Sequence, residues 1–325
     1  MLSKYLYYFI PSIIIVGLWA VYMIFTDSFY KLFSHWQFAL TMVLGGFMSG
    51  ATSEGSGALT FPIFTKVLQV APATARNFAW LMQAVGMGTA SILILKFKIP
   101  FVKPAVIIPS IAGLAGMILA SNYIQPFIIP AYAKITFTMV TFSFGIVLFW
   151  ENRNAEVQRV DALAKVGALD LAILGTGGLL GGIVFGIVGT GLDLIVFAIL
   201  VNYYGISEKV ATPTSVLLQA IACFGAVIYN ALAFGAYSGD AAVVDYWLAC
   251  IPASAIMAPV GALVAARISR KQVTNILLGL ISVEFFSTMW IVEFDYRAKI
   301  FAPALCVLLT LSFLALRRFG KNRPA

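Results

Sequence analysis

The run Leu44-Gly45-Gly46-Phe47-Met48 breaks at Gly50-Ala51-Thr52-Ser53-Glu54-Gly55-Ser56-Gly57, turns apolar again through Phe61-Pro62, and then carries Arg76, Asn77 and Gln83 into a further apolar segment. A hydrophobic stretch interrupted by glycines and a carboxylate points to a binding site between membrane-embedded half-helices. The rest of the chain bears on that reading in several ways.

With 61% hydrophobic and only 10% charged residues, and a mean hydropathy of +0.97, the chain lies outside the range of soluble domains. Apolar runs of about 20 residues recur, which is the length that crosses a hydrocarbon core. They lack the alternation of a membrane barrel strand, so the fold class is all-α, a polytopic integral membrane protein. The net charge of +8 comes from short clusters between spans: Lys96, Lys98 and Lys103; Arg267, Arg270 and Lys271; Arg317, Arg318, Lys321 and Arg323. That distribution fits cytoplasmic loops rather than a nucleic-acid stripe. Cys223, Cys250 and Cys306 lie inside apolar runs without paired spacing, so neither a disulfide framework nor a metal site is expected, and no cofactor motif stands out.

Spans are predicted at about 8–25, 72–95, 105–121, 131–150, 209–233, 244–266, 273–292 and 300–316. The first is read as a retained span, since it lacks a small-x-small cleavage site. The broken element has limbs at about 36–48 and 58–70, and Pro72 suits the first turn of the next helix. One charged linker, 151–167, divides the chain. Beyond it, an ungapped register matches Leu44-Gly45-Gly46 with Leu180-Gly181-Gly182, Gly50 with Gly186, Gly55 with Gly191, Phe61 with Phe197, Ala75 with Ala211, and Gln83 with Gln219. This is the signature of an internal repeat. The expected organisation is an N-terminal span and outer loop (1–35), repeat 1 (36–150), the cytoplasmic linker (151–167), repeat 2 (168–297), and a last span with a basic cytoplasmic tail (298–325).

Counting spans back from the basic tail puts both termini in the cytoplasm. The first broken element then enters from outside and the second from inside, an inverted-topology repeat of the kind found in secondary transporters. About eight spanning helices accompany two glycine-broken elements, either re-entrant hairpins or short half-helix pairs.

These features resemble the TauE/SafE family of sulfite and sulfonate exporters, also called TSUP. The likeness rests on Gly45-Gly46 to Gly57 followed by Phe61-Pro62, on Ala71-Pro72-Ala73-Thr74-Ala75, and on the weaker echo of Gly181-Gly182 to Gly191 and Ala211-Thr212-Pro213. It extends roughly over 36–316. Glu54 and Ser56 interrupt the family's denser glycine run, and Asp193 stands where repeat 1 has Gly57. The resemblance implies a bacterial inner-membrane carrier that exports sulfur-containing or other organic anions.

Glu54 and Asp193, ionisable groups near membrane depth, are candidate proton-coupling residues; capping of half-helices or pairing with Arg76 is the alternative. Arg76 offers a planar fork to a sulfonate or carboxylate near a helix N-terminus, or else snorkels to the interface. Asn77, Gln83, Gln219, Ser53, Ser56, Thr190, Thr212, Thr214 and Ser215 complete the candidate substrate-binding set. The amides also suit helix locking, and hydroxyls in membrane helices commonly bond their own backbone. Glu284 fits either a proton path or a local pairing, and His35 reads as interfacial.

An intramembrane enzyme is disfavoured: His35 is the sole histidine, so H-E-x-x-H is unavailable and Ser56 lacks a second histidine as base, and although an Asp170–Asp193 pair could in principle support aspartyl proteolysis, the repeat gives no reason for it. A channel or carrier for a cation or neutral metabolite is the competing class, favoured if Glu54 and Asp193 are ionised. The expected partners are a small anion, the lipid bilayer and protons as coupling ion; a homo-oligomer is compatible with the sequence.

Overall fold

A long apolar segment leaves the backbone no solvent to bond with, so its amides close on themselves as helix. The computed structural model describes residues 9–321 apart from Glu54, residues 154–159, Ala162, residues 164–165, Ser238 and Ala266. Among the described residues there is no strand, only an isolated bridge between Val160 and Ile206.

Helices α1 (Ile10–Phe25) and α2 (Tyr30–Ser34) lead into the first broken element. Its limbs are α3 (Trp36–Ala51) and α4 (Gly57–Pro62), the latter continuing as a π-helical turn over Ile63–Val67. There follow α5 (Pro72–Lys96), α6 (Lys103–Leu119) and α7 (Pro130–Arg153). The second broken element is α8 (Ala168–Val188) with α9 (Leu192–Asn202). Four more helices complete the chain: α10 (Glu208–Phe234), α11 (Ala241–Ala265), α12 (Arg270–Ile291) and α13 (Tyr296–Lys321).

Among the described residues, eight helices are long and apolar enough to cross a membrane: α5, α6 with its extension to Phe127, α7, α8, α10, α11, α12 and α13. The set differs from the expected one by an exchange. The first limb of the second broken element, α8, reaches spanning length, whereas α1 has only 16 residues, about 24 Å of helix. The second limb of the first element is also not the uniform helix expected over 58–70, because it changes to π-helix just after Pro62.

Both broken elements are hairpins, with the second limb folded back along the first. A Cβ on Gly45 would sit 2.8 Å from Thr60 Cγ2, and one on Gly177 would sit 2.2 Å from Ile199 Cδ1, while Gly181 meets Ile195 and Leu192 nearer the turn. Side chains at these glycines would force the limbs apart.

Each hairpin is gripped by a helix from the other half of the chain: α3 packs along α11, and α8 packs along α6. Small residues every fourth position permit this approach. Gly46 lies against Ser254 and Gly50 against Ala258, while Gly178, Gly182 and Gly186 lie against Pro109, Gly113 and Met117. Between the hairpins α5 pairs with α10, and outside them α7 pairs with α12. Trp80, Phe144, Phe185 and Phe197 fill the centre, whereas Trp290 is 91% exposed and Leu232 84% exposed. An apolar periphery of this kind is what a lipid-facing surface requires.

At one end of the bundle the loop after α5 (Ile99, Pro100), the start of α10 (Glu208, Lys209), Asp161 of the linker and Ile268 converge. This basic end carries the Lys96–Lys103 and Arg267–Lys271 clusters. The loop from α10 to α11, residues 235–240, connects their far ends at the opposite side.

Candidate functional site

The two hairpin tips meet in the middle of the bundle. Gly55, Gly189 and Gly191 take φ of 63°, 86° and 108°, left-handed values that glycine adopts without penalty. A Cβ on Gly57 would lie 2.6 Å from the Thr190 side chain, so tip touches tip. Gln83 links them: its Nε2 donates to the carbonyl of Gly189 at 2.8 Å, while its Oε1 lies 2.9 Å from where a Gly55 Cβ would be. Gln219, matched to Gln83 across the chain by sequence, donates from Nε2 to Gln83 Oε1 at 3.4 Å, a contact between residues 136 positions apart.

Around this junction several buried polar atoms lack a hydrogen-bond partner among the described residues: Ser53 Oγ, Ser56 Oγ, Ser254 Oγ, Gln219 Oε1 and Asp193 Oδ2. Buried polar atoms are nearly always satisfied, so a group of orphans marks a place for water or a polar ligand. The starts of α4 and α9 lie at the same junction, and helix N-termini favour negative charge. Asp193 works against that tendency, yet its Oδ1 is held by the backbone N–H of Gly191 at 3.1 Å and of Leu194 at 2.9 Å. It therefore caps α9 with one oxygen and leaves the other free.

Arg76 lies one turn into α5 and is 7% exposed. Its Nε and one Nη donate to Asn77 Oδ1 at 3.1 and 2.9 Å, and the other Nη donates to the carbonyl of Gly186 at 3.3 Å. The guanidinium carbon stands 4.8 Å from the centre of the Trp80 ring. Asn77 thus orients the arginine, and the C-terminal end of α8, the negative pole of that helix, receives it. The buried cation is not paired with an acid in any ion pair of the described residues.

The remaining predicted residues divide. Thr190 touches the opposite tip, although its own side chain is engaged. Thr212 is half-buried and faces a cavity at the basic end. Thr214 and Ser215 serve the backbone instead. Thr214 Oγ1 donates to the Val210 carbonyl at 2.6 Å and accepts the Val102 amide at 3.0 Å, and Ser215 Oγ donates to the Thr212 carbonyl at 2.9 Å. Glu54 lies outside the described residues.

The cavity has a volume of about 350 Å³ and opens at the basic end between α3, α5, α10 and α11. Ile94, Ile99, Val210, Val216 and Ile268 line it, with Asp161, Glu208, Lys209 and Thr212 as polar members. It reaches Gly50 and Ala51, two residues before Ser53 at the tip. It forms a vestibule leading toward the tip junction.

Sequence reasoning missed one buried cluster. Lys66, in the π-helical turn, donates to Glu284 Oε2 at 2.7 Å, Thr288 Oγ1 at 2.7 Å and Ser287 Oγ at 3.0 Å. Glu284 Oε1 accepts from Thr138 Oγ1 at 2.7 Å, and nearby Lys134 donates to the Thr65 carbonyl at 2.8 Å. The available signal was a lysine inside an apolar limb, which membrane depth makes costly without a partner. Of the two readings of Glu284, it is the local pairing that the geometry displays.

Residues 38–285 match the family model described as sulfite exporter TauE/SafE. No curated protein and no solved structure matches the chain. The matched segment contains both hairpins, the Gln83–Gln219 contact, Arg76 and the vestibule. The chain therefore belongs to the sulfite exporter TauE/SafE family of membrane transporters.

Proposed function

We propose that this protein exports a small sulfur-containing or other organic anion across a bacterial inner membrane by alternating access. Two inverted repeats, 36–150 and 168–297, move about a shared midplane site, with the termini and the basic end in the cytoplasm. The observation that carries this reading is the junction of the hairpin tips, where unpartnered hydroxyls and a glutamine pair related by the sequence repeat surround two helix N-termini. Neutral donors together with helix dipoles suit an oxyanion that must be released again. The vestibule supplies the cytoplasmic route.

Arg76 is assigned to the anion path. In proteoliposomes, Arg76→Ala is expected to lower sulfite or sulfoacetate transport about tenfold, the loss of one charge-assisted contact, while Arg267→Ala leaves it near wild type. Equal transport by both variants would remove Arg76 from the path.

Asp193 is assigned to proton coupling, on the ground that Oδ2 is buried and unpartnered while Oδ1 keeps the carboxyl fixed. Asp193→Asn preserves the capping acceptor and abolishes the titration. An imposed pH gradient is expected to drive transport by the wild type and to have no effect on the variant; a variant that still responds to the gradient places coupling elsewhere. The unpartnered carboxylate oxygen also favours a second reading, a cation carrier, for which a thermal shift with simple cations but not with sulfite or taurine would be the signature.

A further inference from the structure

A proline inside a helix withholds the amide that the carbonyl four residues earlier would accept. In α11, Pro252 and Pro259 leave the carbonyls of Leu248 and Ala255 without their helical donors. Both carbonyls are nevertheless bonded, and by the same neighbour. Trp19 Nε1 of α1 donates to the Leu248 carbonyl at 2.7 Å, and Ser12 Oγ of α1 donates to the Ala255 carbonyl at 2.6 Å. The two prolines stand about two turns apart, and so do the two donors, running the opposite way.

Around these bonds α1 is a two-faced helix. Ser12 and Met23 are buried, and Met23 packs with Leu248 and Ile251, with Ile15 and Trp19 alongside. Ile13, Ile14, Leu18 and Ile24 are each more than half exposed, as a lipid-facing surface requires. Beyond α1, Lys31 of α2 pairs with Asp245 at 2.7 Å. The segment from Ser12 to Lys31 therefore straps α11 from Ala255 back toward its start.

The strapped interval is also the one that seats the first hairpin. A Cβ on Gly46 of α3 would stand 2.8 Å from Ser254 Cα, and one on Gly50 would stand 1.9 Å from the Ala258 carbonyl oxygen. From the same turn Ser254 Oγ reaches α5, 2.8 Å from where a Gly86 Cβ would be, one turn beyond Gln83. A helix short of two internal hydrogen bonds bends more readily than an intact one, and a carbonyl left bare at membrane depth is costly. Bending α11 at its prolines thus keeps the freed carbonyls satisfied only while α1 follows.

We propose that Ser12 and Trp19 are positioning residues for transport. By holding the two carbonyls that the prolines free, they set the bend of α11, and through it the place of the α3 limb and of α5 at the hairpin tips. Neither touches the substrate. The proposal rests on the transport reading above.

The test uses the full chain in proteoliposomes with sulfite as the probe, and the double variant Ser12→Ala/Trp19→Phe, which removes both donors and keeps an aromatic ring. The expected result is a maximal rate about tenfold below wild type at unchanged KM, the mark of residues that shape the moving state rather than bind the solute. Wild-type kinetics per folded molecule overturn the proposal even where the melting temperature falls, since α1 would then serve stability alone. A raised KM at unchanged rate overturns it as well. The hydrogen bonds are tested separately by melting. Pro252→Ala returns an amide to the Leu248 carbonyl, so Trp19→Phe should lower the melting temperature of the wild type and leave that of Pro252→Ala unchanged. An equal drop in both backgrounds overturns the assignment. If the melting comparison comes out as expected but the wild type carries no sulfite, it is the transport reading that fails, and the positioning role with it.

Discussion

Lys66→Met is expected to destabilise the protein by about 3–5 kcal/mol, the cost of leaving one member of a buried ion pair without its partner. Lys66 and Glu284 have side chains only 2% and 4% exposed, with 2.7 Å between them. The carboxylate keeps Thr138 and Thr288 as donors, but hydroxyls do not offset a full charge in a low-dielectric interior. Because α4 reaches α12 through this pair, the first hairpin should loosen before the rest of the bundle. The double variant Lys66→Met/Glu284→Leu removes both charges and is expected to recover most of the loss, as apolar replacements of buried pairs commonly do. Thermal melting of the detergent-solubilised single and double variants checks this directly. A single variant that melts with the wild type would show the charge to be reached by water, and a double variant as unstable as the single would mean that packing, not charge, holds the limb.

The same pair shows where sequence reasoning stops. Apolar run lengths, glycine breaks and loop charge are local quantities, and they were enough for seven of the eight helices of spanning length among the described residues and for the two interruptions. Lys66 and Glu284 stand 218 residues apart, each alone in its apolar segment, and nothing local says that one limb of a hairpin returns past α12. Among the site candidates, Gln83 and Gln219 were legible because a polar amide recurs at equal register in two greasy helices, and they meet in space. Thr214 and Ser215 had the right chemistry, but the carbonyls of their own helix lie within reach and take their protons. Gly50 was legible as a break signal, yet its use is different, because it lies within α3 and faces α11.

That use makes a second large effect. Gly50→Ala is expected to lower stability by at least about 2 kcal/mol, the upper part of the usual range for overpacking, and to impair transport as well. A Cβ on Gly50 would stand 1.9 Å from the Ala258 carbonyl oxygen and 2.8 Å from the Ala262 amide nitrogen. These are backbone atoms of a helix, which cannot rotate away as a side chain can. Gly261 meets the Phe47 carbonyl at the same 1.9 Å from the other side of the contact, so the two helices are pinned at both positions and can accept a methyl group only by separating. Separation would shift Ala51 and the tip beyond it, and would reshape the vestibule that Gly50 lines. Gly175→Ala in α8 is the control, since a Cβ there meets nothing within 4 Å; it should be neutral or gain up to about 1 kcal/mol from replacing glycine in a helix. Melting curves for the two alanine variants decide the matter. If both behave alike, the close approach of α3 and α11 is not what holds the first hairpin in the bundle.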